Sequence, residues 1–305
     1  MKVASASPTL PVALTEALLT TIIWGSSFVV AKIGLRTIGP LTLAGLRYFL
    51  AFLLLSPFLM HRLRRNGWPD RGTLRQLALL GIAAYLIGNG ALFIALQSVP
   101  ATLVAFMLSL GPIFILIGSL VWLKETPTRL QVAGLLVSLG GMALFFIPGL
   151  QAGAMRGLAI LALGTLAFAA FGLLGRAMAR DRRVDSMTLT AVPLAIGGGA
   201  LLIVGWAVEG WPTMALEGAA IVGWLALVNT AIAYLIYNHA LQRLTALQMN
   251  LILNLSPFVT AGLAFLLLGE RLTLLQGLGL VVATVGVAVA QRPTRAGASP
   301  PIAGP

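Results

Sequence analysis

The chain has 305 residues, 59% of them hydrophobic and only 9% charged, with a mean hydropathy of +0.98. A soluble domain carries about a quarter charged residues, so this composition excludes one and points to a polytopic helical membrane protein. The net charge of +12 would suit a nucleic-acid binder, but the basic residues sit in short loops between apolar runs; with no cysteine, disulfides and thiolate metal sites are excluded.

Residues 1–12 are short and weakly charged, and the apolar run beyond them lacks a small-residue cleavage site, so it reads as a retained span. Spans are expected near 13–35, 40–60, 74–96, 100–123 and 129–147, then 157–178, 188–208, 218–239, 247–268 and 273–290. The first carries Trp24, Ser26 and Ser27 near mid-depth, away from the interfacial aromatic belt that suits Trp68, Trp206 and Trp211. Lys32, Arg47 and Arg176 each fall within a turn or two of a span end. Their long stems favour snorkelling to the interface; alternatively one of them holds a substrate carboxylate.

On the third span, Tyr85 and Asn89 are four residues apart and share a face. On the eighth, Thr230 and Tyr234 repeat that spacing, and Tyr237 and Asn238 continue the stripe; on the ninth, Asn250 and Asn254 do the same. An amide facing lipid is costly, so these faces should point into the bundle, either lining a cavity or bonding helix to helix. Phe106 and Met107 on the fourth span and Phe168 and Phe171 on the sixth are candidate apolar walls, or plain core. Pro112 and Pro257, beside Gly111 and Ser256, should kink the fourth and ninth spans and serve as gate hinges. Small-residue faces, Gly134-Ser138-Gly141 and Gly279-Ala283-Gly286, suit close helix packing away from a cavity. The tail 291–305, rich in Pro, Gly, Ala and Ser, reads as disordered.

Residues 95–143 repeat as 240–288 at a constant offset of 145. Ala95-Leu96-Gln97 returns as Ala240-Leu241-Gln242, Pro112 as Pro257, Glu125 as Glu270, Thr128 as Thr273, Gln131 as Gln276, Gly134 as Gly279 and Gly141 as Gly286. Apolar composition alone would not align a proline, a glutamate, two glutamines and two glycines in one register. Five spans per half is an odd number, so the second copy must enter the membrane from the opposite side, as an inverted-topology repeat with a substrate site at the repeat interface. At an offset of 144, Lys32 lies over Arg176, where the two could brace opposite gates. With both termini in the cytoplasm, fourteen Lys and Arg fall inside against Arg36, Arg156 and Arg271 outside, as the positive-inside rule requires.

The eight acids are Glu16, Asp70, Glu125, Asp181, Asp185, Glu209, Glu217 and Glu270, and none is expected at the midplane. A charge there costs about 2.5–3.5 kcal/mol or more and is kept where ions or protons move, so a facilitative carrier is expected over proton antiport. His239, at a span end, reads as interfacial. Glu125 and Glu270 precede short turns, where a carboxylate can cap the next helix or accept backbone N–H groups; Thr128 and Thr273 can cap it themselves.

With two five-span halves, Trp-Gly-Ser-Ser-Phe at 24–28, Leu-Gly-Pro at 110–112, Leu-Ser-Pro at 255–257, Lys-Glu at 124–125 and Gly-Glu-Arg at 269–271, the chain resembles the drug/metabolite transporter superfamily and within it the EamA family. The resemblance covers about 13–290 and implies export or exchange of small metabolites by alternating access, nearest in kind to amino-acid exporters of the YddG type. Small multidrug transporters of that superfamily carry a glutamate in the first helix; the corresponding Ile23–Phe28 stretch has none.

The reading is therefore an all-α carrier of ten transmembrane helices in a bacterial inner membrane, functional as a monomer and without a cofactor. Its first repeat spans 13–147 and its second 157–290. The expected substrate is an aromatic or branched amino acid, contacting Trp24, Ser27, Tyr85, Asn89, Met107, Phe171, Tyr234, Tyr237, Asn238, Asn250 and Asn254, with Pro112, Pro257, Lys32 and Arg176 at gates and hinges. A proton-coupled drug exporter is the alternative. No metal motif, paired midplane acids or Ser/His arrangement points to an enzyme, and two histidines, His61 and His239, make a metal site improbable.

Overall fold

A computed structural model describes residues 8–111, 113, 128–148, 154–180, 185–244 and 246–290. Helix α1 runs Leu10–Gly34 and α2 runs Pro40–Asn66, each opened by a proline in its first turn, where a missing N–H costs nothing. Helix α3 runs Arg71–Ser98 and α4 Ala101–Ser109. Asp70 caps α3 by accepting from Gly72 N at 2.8 Å and Thr73 N at 3.1 Å. Helices α5 (Arg129–Phe146) and α6 (Ala154–Arg180) follow. Then come α7, which begins at Ser186 under an Asp185 cap and ends at Glu209, and α8, Leu216–Ala240.

The expected ninth span is two helices, α9 (Ala246–Leu253) and α10 (Ser256–Leu268). Pro257 sits in the first turn of α10 rather than inside a kinked helix: it cannot donate to Leu253, and the chain re-forms a helix on its far side. Helix α11 covers Leu274–Ala290. Thr128 with Gln131 and Thr273 with Gln276, equivalent across the repeat, form capping boxes at the starts of α5 and α11.

Among the described residues eight helical segments are long and apolar enough to cross a membrane, the eighth being Leu251–Leu268, taken across the break between α9 and α10. Leu274–Ala290 falls just short at 17 residues, and the expected 100–123 span runs beyond the described residues, as do Pro112, Glu125 and the 291–305 tail.

Helices α5 and α11 pack against each other along their glycine faces. A Cβ at Gly141 would lie 2.3 Å from Ala283 N, and one at Gly134 2.4 Å from Ala290 N, so no larger residue fits this antiparallel approach. Ser138 Oγ donates to Ala283 O at 3.1 Å. The small-residue faces thus join the two halves to each other rather than brace each half separately.

Two repeat-equivalent helices widen at the same place. In α3 the stretch Ile82–Asn89 is π-helical, and in α8 so is Leu227–Ile232, with Ile82 and Leu227 at the 145-residue offset. In each, a polar side chain bonds a carbonyl five residues back: Asn89 Nδ2 donates to Ala84 O at 2.8 Å and Thr230 Oγ1 to Leu225 O at 2.9 Å. Such widened turns concentrate at functional sites.

Candidate functional site

A cavity of about 270 Å³ lies where α1, α2, α3 and α8 converge, with single contributions from α4, α6 and α10. Trp24, Ser27 and Phe28 face it from α1, Arg47 and Tyr48 from α2, and Tyr85, Asn89 and Phe93 from α3. Asn229, Thr230 and Tyr234 close it from α8. Among the described residues, none on α5, α7 or α11 lines it.

The polar side is a linked network. Tyr48 Oη donates to Asn89 Oδ1 at 2.5 Å, and the Tyr85 and Tyr234 hydroxyls meet at 3.3 Å. Arg47 donates through Nη1 to Ser27 Oγ at 2.6 Å, through Nε to Thr230 Oγ1 at 3.0 Å and through Nη2 to Asn229 O at 3.3 Å. Its guanidinium sits 4.9 Å from the Tyr48 ring centre. Asn229 Nδ2 donates to Ile23 O and to Ser26 Oγ. On the apolar side, Trp24 packs edge-on to Tyr234 with ring centres 5.7 Å apart and lies 5.3 Å from Tyr237.

Of the residues expected from sequence, Trp24, Ser27, Tyr85, Asn89 and Tyr234 come together at this cavity. Met107 does not: it is buried in the core, beside Phe106, which stacks on Phe145. Phe171 packs between two core clusters, and Phe168, one turn earlier on α6, supplies the wall instead. Tyr237 reaches the cavity only through the Trp24 ring, and Asn238 is half-buried outside the lining. Asn254 is buried at the break before α10, with Nδ2 unpartnered among the described residues, and does not line the cavity. The side chains of Asn250 and Arg176 lie outside the described residues.

Arg47 is the correction that matters most. It does not snorkel: it is 7% exposed, held in the bundle by partners 183, 182 and 20 residues away. Those partners come from α8 and α1, and no local pattern around Arg47 announces them.

Lys32 does not snorkel either. Its Nζ donates to Val99 O at 2.7 Å and lies 3.3 Å from Glu270 Oε1. Glu270 in turn caps α4, not the helix that follows it, accepting from Ala101 N at 2.8 Å, Thr102 N at 3.2 Å and Thr102 Oγ1 at 3.0 Å. Gly269, with φ of 69°, makes the turn that brings Glu270 there. Glu209 treats α2 the same way, accepting from Leu41 N at 2.8 Å and Thr42 N at 2.9 Å. Around Lys32 and Glu270 a second, more polar recess includes Arg36, Gln97 and Pro100. Leu96 lines both recesses.

His239 is not merely interfacial: its Nδ1 lies 2.7 Å from Glu16 Oε1, joining α1 to α8. Among the described residues, no three His, Asp or Glu are grouped closely enough to hold a metal ion.

The sequence pattern of the EamA-like transporter family matches residues 12–147 and again 155–291. The chain is 28% identical over 270 residues to the uncharacterized inner membrane transporter YedA of Escherichia coli K12, covering 87% of this chain and 86% of that protein. It is 25% identical over 266 residues to the S-adenosylmethionine/S-adenosylhomocysteine transporter of Chlamydia trachomatis, covering 83% and 80%. A crystal structure of another protein superposes with a TM-score of 0.63 at 19% identity, over 92% of this chain and 98% of that one, which shows a shared fold.

Proposed function

The chain belongs to the EamA-like transporter family of the drug/metabolite transporter superfamily, and on that premise we propose that it moves a small amphipathic metabolite, an aromatic or branched amino acid, outward across the inner membrane by alternating access. It is an integral membrane transporter and not an enzyme. The observation that carries the substrate reading is the cavity itself. At about 270 Å³ it lies just below the roughly 300–1,000 Å³ of drug-sized ligand sites, which favours an amino acid over a drug-sized molecule or a nucleoside sulfonium. One wall offers Arg47, Ser27, Asn89 and tyrosine hydroxyls, and the other Trp24, Phe28 and Phe168.

In this reading ten spans form two inverted five-helix repeats, 13–147 and 157–290, with both termini in the cytoplasm and a single chain as the working unit. Lys32 and Glu270 then lie at the outer end and hold it shut by tying α1 and the α10–α11 turn to the start of α4. The repeat assigns the same work at the inner end to Arg176 and Glu125, in the state where that end closes. The broken α9–α10 segment and Pro257 supply the hinge.

In this reading transport is facilitative, because among the described residues no carboxylate lines the cavity. A second reading, proton-coupled efflux, is favoured by one observation: the Glu16–His239 pair, in which Glu16 Oε2 is buried without a partner among the described residues. Uptake of labelled amino acids into liposomes holding the purified protein decides between them. Saturable uptake indifferent to an imposed pH gradient supports the carrier; uptake that requires the gradient, and is lost in Glu16→Gln, overturns it for the second reading.

A further inference from the structure

Arg47 is 7% exposed, and no carboxylate lies within 4.0 Å of it among the described residues. Three of its five N–H groups are taken by Ser27, Thr230 and Asn229 O, all neutral acceptors, leaving two for another partner. A cation deep in a membrane protein is expensive unless an anion meets it, and there it marks the path of a ligand. Independently, Asn229 is 1% exposed and lines the same cavity, yet its Oδ1 has no hydrogen-bond partner among the described residues. The amide cannot be turned to correct this, because its Nδ2 already serves Ile23 O and Ser26 Oγ, and a flip would set oxygen against oxygen. The backbone carbonyl of Asn229 accepts from Arg47, so the cation and the residue that carries the unmet acceptor are neighbours.

We infer that Arg47 and Asn229 together form the head-group site of the carrier, Arg47 binding a carboxylate and Asn229 Oδ1 accepting from an ammonium on the adjacent carbon. The two demands are of opposite kind and sit on hydrogen-bonded neighbours, which is the chemistry of an α-amino acid zwitterion. A simple anion would satisfy only Arg47, and a lipophilic cation only Asn229. This rests on the amino-acid reading above and names the residues that read the head group. The side chain of the substrate would extend toward Trp24, Phe28 and Phe168.

Ligand-induced shifts in Tm of the purified full chain test the assignment without depending on transport. The probes are leucine, leucine amide, 4-methyl-2-oxopentanoate and 3-methylbutylamine. Leucine should stabilise the protein; the amide and the amine, lacking the carboxylate, should bind at least about thirtyfold more weakly, the lower end of what removing one partner of a buried charge pair costs. The oxoacid should bind more weakly than leucine but depend equally on Arg47. Arg47→Gln should erase the preference for leucine over its amide, and Arg47→Lys should keep part of it. Asn229→Ala is the sharper variant: it removes the acceptor without setting an oxygen against Ile23 O, so it should weaken leucine and leave the oxoacid, which has no ammonium, unaffected. The unliganded Tm of each variant reports folding in the same experiment. Binding of the oxoacid but not of leucine, still dependent on Arg47, would overturn the amino-acid reading and the Asn229 half while keeping the carboxylate anchor. Equal binding of leucine and leucine amide to the wild type, or a preference that survives in folded Arg47→Gln, overturns the anchor whatever uptake shows.

Discussion

Lys32 and Glu270 lie 238 positions apart in sequence and meet with Nζ 3.3 Å from Oε1, at the point where Glu270 also caps α4. Each group therefore does two jobs: Lys32 holds Val99 O as well as the carboxylate, and Glu270 holds three donors of α4 as well as the ammonium. Three segments of chain are joined at one spot, beside the recess that shares Leu96 with the cavity.

Removing the carboxylate should loosen that junction. An N-cap is worth about 1 kcal/mol, and its loss here also strands Lys32. The chain has no cysteine, so a single Ser27→Cys reporter in the cavity can be labelled cleanly with a membrane-impermeant maleimide. Glu270→Ala should raise the labelling rate from the outer face roughly fivefold or more, and Glu270→Asp should fall between it and wild type. An unchanged rate would show that this junction is a static brace.

The aromatic wall should matter through ring area, not polarity. Trp24 makes two ring contacts, with Tyr234 in the lining and with Tyr237 behind it, each worth about 0.5–1.5 kcal/mol beyond burial. Trp24→Ala should raise the KM for leucine about tenfold, while Trp24→Phe should raise it two- to threefold. Equal effects of the two would mean that the indole nitrogen is what the site uses.

Glycines of the same helix pair should respond oppositely to a single methyl. Gly141→Ala drives a Cβ to within 2.3 Å of Ala283 N and should cost about 1–3 kcal/mol, read as a lowered Tm in detergent. At Gly277 a Cβ meets nothing within 4 Å, so Gly277→Ala should leave Tm unchanged or slightly raised. A similar loss at both positions would mean that the close approach of α5 to α11 is not what holds them.

Hydropathy placed most helices to within a few residues, because each must satisfy its own backbone in lipid and so stays a continuous apolar run. The stripe Tyr85-Asn89 and its counterpart Thr230-Tyr234 were legible for the same reason: polar groups on one helical face must turn inward. What the sequence hid was long-range. Arg47 looks like any arginine two turns into a helix until α8 supplies Thr230 and the Asn229 carbonyl. Glu270 looks like a cap for the next helix, but Thr273 and Gln276 already fill that place, which frees the carboxylate for α4. Phe168 and Phe171 differ by less than one turn, and only the rotation of α6 against α3 decides which meets the cavity.

The same logic predicts an effect with the opposite sense at the other end. Glu125 and Arg176 occupy the repeat positions of Glu270 and Lys32, and the inverted-repeat topology proposed above would put them on the opposite side of the membrane. If the outer junction closes one state, its counterpart closes the other. Glu125→Ala should then bias the carrier toward the inward-open state, where Glu270→Ala biases it outward. With Ser27→Cys as the reporter, Glu125→Ala should lower labelling from the outer face and raise it from the inner face in inverted vesicles. The double variant Glu125→Ala with Glu270→Ala should return the outer rate toward wild type, because the two biases act on one equilibrium and subtract. Two variants that both raise outer labelling would remove the inner counterpart and leave the gate one-sided.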